Sequence, residues 1–346
     1  MTRTLYLLTD YKNIFGSRYD AKPYRSGLDK EFLAKEFEKY NINARFIQFS
    51  EIDFSKDWTN EIVLYTSSED HEYHYKSFIE DIVYGLEQKG ALVIPGYAFL
   101  RANNNKVFME IMRKTFLQDE CGNDSLLFGT LEEAQSALRM NKISFPAVLK
   151  TAGGACSKGV RKADSAIELQ NQIRQMCATK DFKFDIRDTI RQFRHKGYIR
   201  ESAYRHKFIT QSLIPQLQND WKLLIFGGRI FCLKRHVRKS DFRASGSNND
   251  YKAGSEAGMT PEMLDFAYEI FRKLNIPMLS LDYAYDGRRH YMIEFQAVYF
   301  GSGTFIMSKD YYCRENGTWI LKDKNESYEA LFAWSIHEFL IKNKLI

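Results

Sequence analysis

Three oxygen-bearing side chains near the end of the chain have the types and spacing of a metal site. Asp282 and Glu294 lie in two apolar runs joined through Asp286-Gly287, a dipeptide typical of a hairpin turn. Gln296 follows Glu294 by two positions, so both side chains leave a strand on the same face. Oxygen ligands without His or Cys suit Mg²⁺, which also binds water and nucleotide phosphates. The pattern predicts a magnesium site, with a solvent-facing polar side of an edge hairpin as the alternative.

A glycine-rich segment in the middle of the chain has the composition of a phosphate-binding loop. Residues 151–160, TAGGACSKGV, lie between two β-type runs, and their small side chains let backbone N–H groups approach an anion. The segment lacks the GxxxxGK[ST] spacing of a P-loop, and a glycine turn of a plain hairpin is the alternative. The candidate phosphate contacts are Gly153, Gly154, Ser157, Lys158 and Gly159.

Positive charge is concentrated at two further places. Lys150 ends the apolar run before the glycine-rich loop, where a lysine without an anionic partner is costly to desolvate unless it reaches solvent. Residues 220–243 form an apolar hairpin around Gly227-Gly228 that is rich in Lys and Arg, although the net charge of the chain is only +6. The basic hairpin, the loop and the acidic hairpin together fit one centre, and the nucleotide they predict is ATP.

The first hundred residues predict an open parallel sheet at the start of the chain. Apolar runs at 4–9, 44–49, 61–68 and 91–96 alternate with helical runs at 28–40 and 71–88. Ligands gather beyond the carboxyl ends of such strands, so Ser67 and Ser68 are candidate substrate contacts, with helix N-caps as the alternative. No GxGxxG is present, so a dinucleotide site is not expected.

The rest of the chain predicts a mixture of strands and helices. A helix from 103 is expected to pack through Val107, Phe108, Ile111, Met112 and Phe116, and the charge-dense segment 180–207 is expected to be a solvated helical face. Further helices are predicted at 131–139, 261–274 and 327–343, and strands at 207–214, 222–227, 229–235, 278–285 and 290–295.

Composition places the chain among globular proteins. Its 346 residues are 44% apolar and 15% aromatic, which is enough for two or three packed domains. We find neither a membrane-spanning run nor a signal peptide, so a cytoplasmic location is expected. The five cysteines are scattered without CxxC spacing, which predicts reduced thiols and no zinc site.

Taken in order, these residues resemble the ATP-grasp superfamily, in particular the branch of ribosomal-protein glutamate ligases and related carboxylate–amine ligases. The resemblance extends over about 100–305. Its matching elements are Lys106, Lys150, residues 151–160, Gln211-Ser212-Leu213-Ile214, Asp220-Trp221-Lys222, Arg235, Asp241-Phe242-Arg243-Ala244-Ser245, and Asp282 with Glu294-Phe295-Gln296.

The resemblance implies an α/β protein with α+β character in its ATP-grasp part. A Rossmann-like N-terminal domain at 1–102 would precede the two-lobed ATP-grasp fold. The central subdomain, 103–206, would carry the glycine-rich flap, and the C-terminal subdomain, 207–346, would carry the metal site.

The resemblance also implies a role for each matching residue. Lys106 and Lys150 would bind ATP phosphates, and the catalytic pair Arg235 and Arg243 would neutralise the transferred phosphate or an acyl phosphate. One or two Mg²⁺, for which Mn²⁺ can substitute, would bind Asp282, Glu294 and Gln296. The other implied ATP contacts are the 211–214 backbone (Gln211, Ser212, Leu213, Ile214) at adenine, Asp220 at the ribose, Lys222 and Ser245.

Three positions depart from the family pattern. Gln296 stands where asparagine is usual, Lys222 replaces an arginine, and Ala244-Ser245-Gly246 interrupts an Arg-Ser-Asn run. A glutamine still offers a carbonyl oxygen to a metal, and a lysine keeps the charge but loses bidentate recognition.

The reaction that the resemblance implies is amide formation through an acyl phosphate, with ADP and phosphate as co-products. The expected partners are a small-molecule or peptide carboxylate and an amine. A membrane partner is not expected, nucleic acid is disfavoured, and a homo-oligomer is left open. The alternatives are a phosphotransferase on the same fold, a non-catalytic relative, and a nucleic-acid or ribosome-associated module that uses the basic segment 180–207.

Overall fold

The computed structural model describes residues 3–117, 124–154, 159–179, 181–237, 242–243 and 250–346. The chain forms two compact units. Unit 1 comprises Met1–Asn103, Met112–Cys121 and Leu217–Ile346, and unit 2 comprises Asn104–Ile111 and Gly122–Gln216.

Unit 1 begins with the predicted parallel sheet, which is confirmed. The strands are β1 (Arg3–Thr9), β2 (Ile42–Gln48), β3 (Ile62–Tyr65) and β4 (Leu92–Ile94), in the order β2-β1-β3-β4. The helices are α1 (Lys30–Glu38), α2 (His74–Gln88) and α3 (Tyr97–Ala102), of which the last was not predicted. Neighbouring strands of this sheet are parallel. After each of β1 to β3, the connecting segment therefore carries the chain back to the edge of the sheet where the next strand starts.

Unit 2 contains an antiparallel sheet that is covered by helices. The helices are α4 (Lys106–Met112), which starts in unit 2, α5 (Leu131–Arg139), α6 (Ala166–Met176) and α7 (Phe182–Arg194). The strands are β5 (Ser125–Phe128), β6 (Ala147–Thr151), β7 (Val160–Ala163) and β8 (Phe208–Ser212), in the order β5-β8-β6-β7. Leu149, Leu169, Ile173 and Phe208 form the centre of its core.

The predicted apolar face of α4 is wrong in part, since Met112 is buried and Val107 and Phe108 are half-buried, but two of its members are exposed. Ile111 and Phe116 are 43% and 51% exposed, whereas Met109 and Glu110 are buried. The helix changes to a π-helical turn at Arg113–Leu117, which rotates the following side chains away from the α-helical register. The sequence periodicity assumed one continuous α-helix and therefore misplaced Phe116, whereas the exposure of Ile111, which precedes the π-helical turn, has no such explanation.

The last part of unit 1 is built on a seven-stranded antiparallel sheet. Its main path is β13-β12-β9-β10-β14-β15, and the short β11 pairs with β10. The strands are β9 (Asn219–Phe226), β10 (Arg229–His236), β11 (Lys252–Ala253), β12 (Met278–Tyr285), β13 (His290–Gln296), β14 (Asp310–Glu315) and β15 (Thr318–Asp323). The helices are α8 (Pro261–Leu274), α9 (Gly303–Met307) and α10 (Tyr328–Lys342).

One apolar core joins the beginning and the end of the chain within unit 1. Leu7 and Phe37 belong to the same buried cluster as Phe226, Leu331 and Ile336. The division into 1–102, 103–206 and 207–346 stays a prediction, but its first and last segments share this core. Among the described residues, no helix combines the length and the apolar character needed to cross a membrane.

Candidate nucleotide and metal site

The strand register of unit 1 brings the predicted metal residues to one face of two neighbouring strands. Asp282 on β12 lies directly opposite Glu294 on β13, and Ser280 lies opposite Gln296. Residues that are opposed across a ladder, or two apart along a strand, share one face of the sheet. Asp282, Glu294 and Gln296 therefore form one patch of oxygen donors.

A β-bulge begins at the central pair of this patch. The register shifts after Asp282, so that Tyr283 pairs with Met292 and Ile293 has no partner residue on β12. A bulge increases the local twist and redirects the side chains beside it. The hairpin is thus irregular at the position that carries its two carboxylates.

Asp282 is also part of a charged network on the same face. The Nζ atom of Lys222, which is opposite Asp282 on β9, donates to Asp282 Oδ1 at 3.3 Å. Arg235 on β10 lies 3.2 Å from Asp282 Oδ2 through Nη2. Arg235 also makes a two-point contact with Asp220, at 2.7 and 2.9 Å. Two carboxylates and two cations thus alternate across three strands.

Burial and these charges shift the two carboxyl groups in opposite directions. Burial raises the pKa of Asp220 above its usual range, more than the facing guanidinium of Arg235 lowers it. Burial acts in the same direction on Asp282, but the charges of Arg235 and Lys222 outweigh it and lower the pKa of that carboxyl. Asp282 is therefore anionic at neutral pH, as a cation ligand must be.

The donor set fits a hard cation. Among the described residues, no three His, Cys, Asp or Glu side chains come together as a metal-binding group. The acidic hairpin instead offers two carboxylates and an amide, which suits Mg²⁺ because this ion keeps several ligands from water and phosphates. In the structure, Asp282 pairs with the positively charged side chains of Lys222 and Arg235.

In unit 2, two lysines are buried beside the glycine-rich loop. Lys106 and Lys150 are 6% and 8% exposed, and Lys150 precedes the last residue of β6. Lys106 Nζ donates to the carbonyl of Gly154 at 2.9 Å, and its backbone N–H donates to Ala152 at the same distance. Lys106 is therefore held at the start of the loop.

The loop requires glycine at two of the predicted positions. Gly154 has a φ of +106°, a conformation that other residues rarely adopt. A Cβ atom on Gly159 would lie 2.1 Å from Thr151 Oγ1. Thr151 Oγ1 donates to the carbonyl of Gly153 at 3.0 Å. The loop connects antiparallel β6 and β7, so it has the topology of the alternative, a hairpin connection. Ser157 and Lys158 lie outside the described residues.

The predicted adenine segment ends strand β8. Gln211 is 3% exposed, and its Nε2 donates to Glu110 Oε1 at 2.9 Å. Its Oε1 is buried and has no hydrogen-bond partner among the described residues. The amides of Ser212 and Leu213 donate to the carbonyls of Asp124 and Pro146. Ile214 follows directly in the chain.

Glu110 was missed by the sequence analysis. It is fully buried, and its second oxygen accepts a hydrogen bond from Ser125 Oγ at 2.6 Å. Its bond to Gln211 spans 101 positions of the chain, so no local pattern could reveal the pair. A single acid within the apolar run KVFMEIM was the only available signal.

The predicted substrate serines lie beyond the carboxyl end of β3. Ser67 is 2% exposed, and its Oγ has no partner among the residues that the structure describes. Ser68 Oγ accepts from the backbone N–H of Asp70 at 3.2 Å. Asp70, not either serine, accepts the N–H groups of Tyr75 and Lys76 in the first turn of α2. The N-cap alternative therefore applies to Asp70.

Two further predicted residues belong to the 241–245 run. The guanidinium of Arg243 lies over the Phe242 ring, 5.7 Å from its centroid. Ser245 lies outside the described residues, as do Asp241 and Ala244. The predicted roles of Arg243 and Ser245 stay predictions.

No family model and no curated protein matches this sequence. Solved structures are nevertheless similar over almost the whole chain. One is a RimK domain ATP-grasp protein from Sphaerobacter thermophilus, with a TM-score of 0.51, 12% identity and coverage of 98% of this chain and 99% of that one. A second is a RiPP-associated ATP-grasp ligase from Chryseobacterium gregarium, in complex with ADP and a leader and core peptide, with a TM-score of 0.53, 10% identity and coverage of 99% and 97%.

This chain has the ATP-grasp fold. D-cycloserine synthetase DcsG is similar as well, with a TM-score of 0.56, 11% identity and coverage of 97% of this chain and 99% of that one. The predicted α/β fold class is confirmed, and the chain has the fold of the superfamily that its sequence resembles. At such low identities the likeness establishes the fold, and the activity of this ATP-grasp chain has to be argued from its own residues.

Proposed function

We propose that this protein is an ATP-dependent ligase that joins a carboxylate to an amine. The observation that carries the proposal is the strand register that opposes Asp282 to Glu294, with Gln296 on the same face. A patch of oxygen donors beside Arg235 and Lys222 suits a nucleotide phosphate together with its cation. The ATP-grasp fold, shared with structures described as ligases and a synthetase, supports this activity.

Three buried residues of unit 2 receive roles on these grounds. Lys106 and Lys150 are buried cations at a glycine-rich loop, so we assign them to phosphate oxygens of ATP. Gln211 Oε1 is a buried acceptor without a partner among the described residues, and the exocyclic amino group of adenine is a donor that would satisfy it.

The cation that the acidic hairpin would hold is Mg²⁺. Asp282, Glu294 and Gln296 would be its protein ligands, and when bound it would offset negative charge on the phosphates of ATP. Arg235 would act on the same charge from its position beside Asp282, where Asp220 fixes its guanidinium by a two-point contact.

The proposed reaction has two steps. An oxygen of the substrate carboxylate forms a bond to the γ-phosphorus of ATP, the bond from that phosphorus to the bridging oxygen breaks, and ADP leaves. The amine nitrogen then bonds to the acyl carbon, the carbon–oxygen bond to phosphate breaks, and the amine loses a proton. In both steps the chain supplies orientation and charge and forms no covalent intermediate of its own.

The substrate class is proposed from the similar structures. The similar ligase from Chryseobacterium gregarium is described with a leader and core peptide, and D-cycloserine synthetase is named for a small molecule. We propose that a peptide or small-molecule carboxylate and an amine are the substrates here. Ser67, whose buried hydroxyl lacks a partner within the described ranges, is the proposed substrate contact in the N-terminal sheet.

Product analysis tests the proposed function. The protein is incubated with ATP, Mg²⁺ and pooled carboxylates and amines, and products are resolved by mass. The proposal predicts ADP, free phosphate and a new amide in equal amounts. ADP with a phosphorylated acceptor and no free phosphate would instead identify a phosphotransferase, and unchanged ATP with every pool would contradict catalysis.

A further inference from the structure

Helix α7 of unit 2 exposes its apolar side chains. Phe182, Ile186, Ile190 and Phe193 are 79%, 46%, 43% and 84% exposed. Their spacing of four, four and three positions places them on one face of the helix. A surface helix normally buries such a stripe against the core, so this helix has the reverse arrangement.

Polar contacts help to attach α7 to its surroundings, together with the half-buried Phe184 on the face away from the stripe, over whose ring Arg205 lies. The buried residue of α7 is Asp188, 2% exposed, whose carboxylate accepts from the Tyr198 hydroxyl and the Glu201 backbone. Just before α7, the backbone N–H of Thr179 donates to the carbonyl of Ala203, which follows the helix, at 2.9 Å. Of the apolar stripe, only the half-buried isoleucines Ile186 and Ile190 add to this attachment, and Phe182 and Phe193 stay about four-fifths exposed.

The exposed stripe is large enough to be a binding surface. An aromatic side chain carries roughly 150–250 Å² of surface. Phe182 and Phe193 alone therefore present on the order of 300 Å², because each is about four-fifths exposed. The largest apolar patch of a typical soluble monomer measures about 300–600 Å² and is often functional, and this stripe reaches that range.

A row of basic residues borders the stripe on one side only. With about 100° per residue, the stripe lies at about 0–80° around the helix from Phe182. Lys183, Arg187, Arg191 and Arg194 lie at about 100–180°, and all four are exposed. Asp181 and Asp185 lie on the opposite side of the stripe, towards the attached face.

We propose that this face of α7 binds an amphipathic helix of a partner protein or peptide whose apolar stripe is bordered by acidic residues. Two helices that pack through apolar stripes place their flanking rows beside the seam, where opposite charges attract. The basic row of α7 thus selects an acidic row on the partner. The inference is independent of the proposed ligase activity.

Other occupants match the face less well. A nucleic acid would use the basic row, but the two aromatic rings of the stripe, Phe182 and Phe193, lie 11 positions apart, about 16 Å along the helix, with isoleucines between them, so they form no continuous stacking platform for bases. An anionic membrane favours helices whose basic residues flank the apolar face from both sides, whereas α7 has acidic residues on one side. A second copy of the chain would add a second basic row, and the other flank of its stripe would offer only Asp181 and Asp185, both at the start of the helix, to four basic residues.

Fluorescence anisotropy with the full chain tests this proposal. The probe is a labelled helical peptide of 13 residues, the length of α7, with leucines on one face and a row of glutamates beside them. We expect saturable binding that weakens when salt is raised, because part of the attraction is between exposed charges. Phe193→Ser and Arg187→Glu should each weaken binding by about tenfold or more.

The matched control is Ile167→Ser on α6, since Ile167 is 74% exposed in the same unit but lies outside the stripe. It should bind the probe as the unchanged protein does. The proposal is overturned if the acidic peptide does not saturate the protein, or if Phe193→Ser and Ile167→Ser behave alike. Binding of vesicles with anionic lipid or of an oligonucleotide, without binding of the peptide, would also overturn it.

Discussion

At the scale of single residues, chemistry in this protein depends on charges that neighbouring strands hold in place. Asp282 is kept anionic by Arg235 and Lys222, and Asp220 fixes the guanidinium that both carboxylates share. None of these contacts is local in sequence, yet each follows from the register of three adjacent strands.

Glu294→Ala should abolish turnover while leaving the fold intact. The change removes one of two carboxylates proposed to hold Mg²⁺, and the ion is then bound too weakly to support phosphoryl transfer. Phosphate release at saturating Mg²⁺ measures the effect, and circular dichroism checks the fold. Asp323→Ala, an exposed acid on β15 of the same unit, should keep full activity. A Glu294→Ala protein with an undiminished rate would remove the metal assignment.

Lys150→Ala should mainly weaken nucleotide binding. A charged hydrogen bond to phosphate contributes about 1.5–3 kcal/mol, which corresponds to roughly ten- to a hundredfold in affinity. Calorimetric titration with ATP and Mg²⁺ measures the change. Lys162→Ala on the neighbouring strand β7, where the lysine pairs with Asp164 at 2.8 Å, is the control and should bind ATP normally. Equal affinities for all three proteins would count against the loop assignment.

The residue-scale predictions from sequence had clear physical limits. Asp282, Glu294 and Gln296 could be placed on one face, because a strong turn signal fixes the hairpin and the side-chain period of a strand is two. Glu110 and the free oxygen of Gln211 could not be found, because their environment forms across 101 positions of chain. For the predicted residues outside the described ranges, Ser157, Lys158 and Ser245, the sequence remains the only basis.

At the scale of elements, helix caps and turns follow from the residue types at the ends of the elements. Ser165, Thr260 and Ser327 each accept a backbone N–H in the first turn of the helix that they begin. The missed hairpin β14–β15 carries a strong signal as well, since Asn316-Gly317 joins its strands with positive φ at both residues. Apart from the buried Tyr311, the apolar side chains of these strands are at most partly buried, and the weak apolar pattern hid the pair.

The segment after α7 should lose order as pH falls. The Tyr198 hydroxyl bond, aided by the Glu201 backbone and by Arg200 and Arg191, lowers the pKa of Asp188 below its usual value of about 3.9. A carboxyl group with a lowered pKa stabilises the folded segment above its unfolded pKa, and this contribution disappears as pH falls through the folded value.

Hydrogen exchange at the amide of Glu201 checks this prediction. In the unchanged protein, protection should be constant from neutral pH down to about 4 and decrease below it. Asp188→Asn should reduce protection at neutral pH and abolish the dependence, with amides of β10 as an internal reference. Protection that falls in the same way in both proteins would show that another group is responsible.

At the scale of the whole molecule, the N-terminal sheet and the C-terminal helix of unit 1 depend on each other. Glu329 in the first turn of α10 is buried, and its Oε1 accepts from Arg18 Nη1 at 2.7 Å and from the Asp29 backbone at 3.1 Å. Sequence reasoning predicted the sheet and the helix separately, but could not predict this shared core, because the contact spans 311 positions.

Glu329→Ala should lower the free energy of unfolding of unit 1 by about 1–3 kcal/mol, since Arg18 keeps Asp20 as a partner. Arg18→Ala should cost more, because it leaves a buried carboxylate with one backbone donor. Urea denaturation of both variants measures the order. Lys342→Ala at the far end of α10 is the control, and a larger effect of Glu329→Ala than of Arg18→Ala would contradict this reasoning.

The central claim is that ATP activates a carboxylate on this protein by transfer of its γ-phosphoryl group. Carboxylate pools labelled with oxygen-18 test it most directly, through the isotopic mass of the phosphate released with ATP, Mg²⁺ and amines. An acyl phosphate predicts that each phosphate released with a new amide carries one labelled oxygen. Unlabelled phosphate accompanying a new amide would contradict the claim.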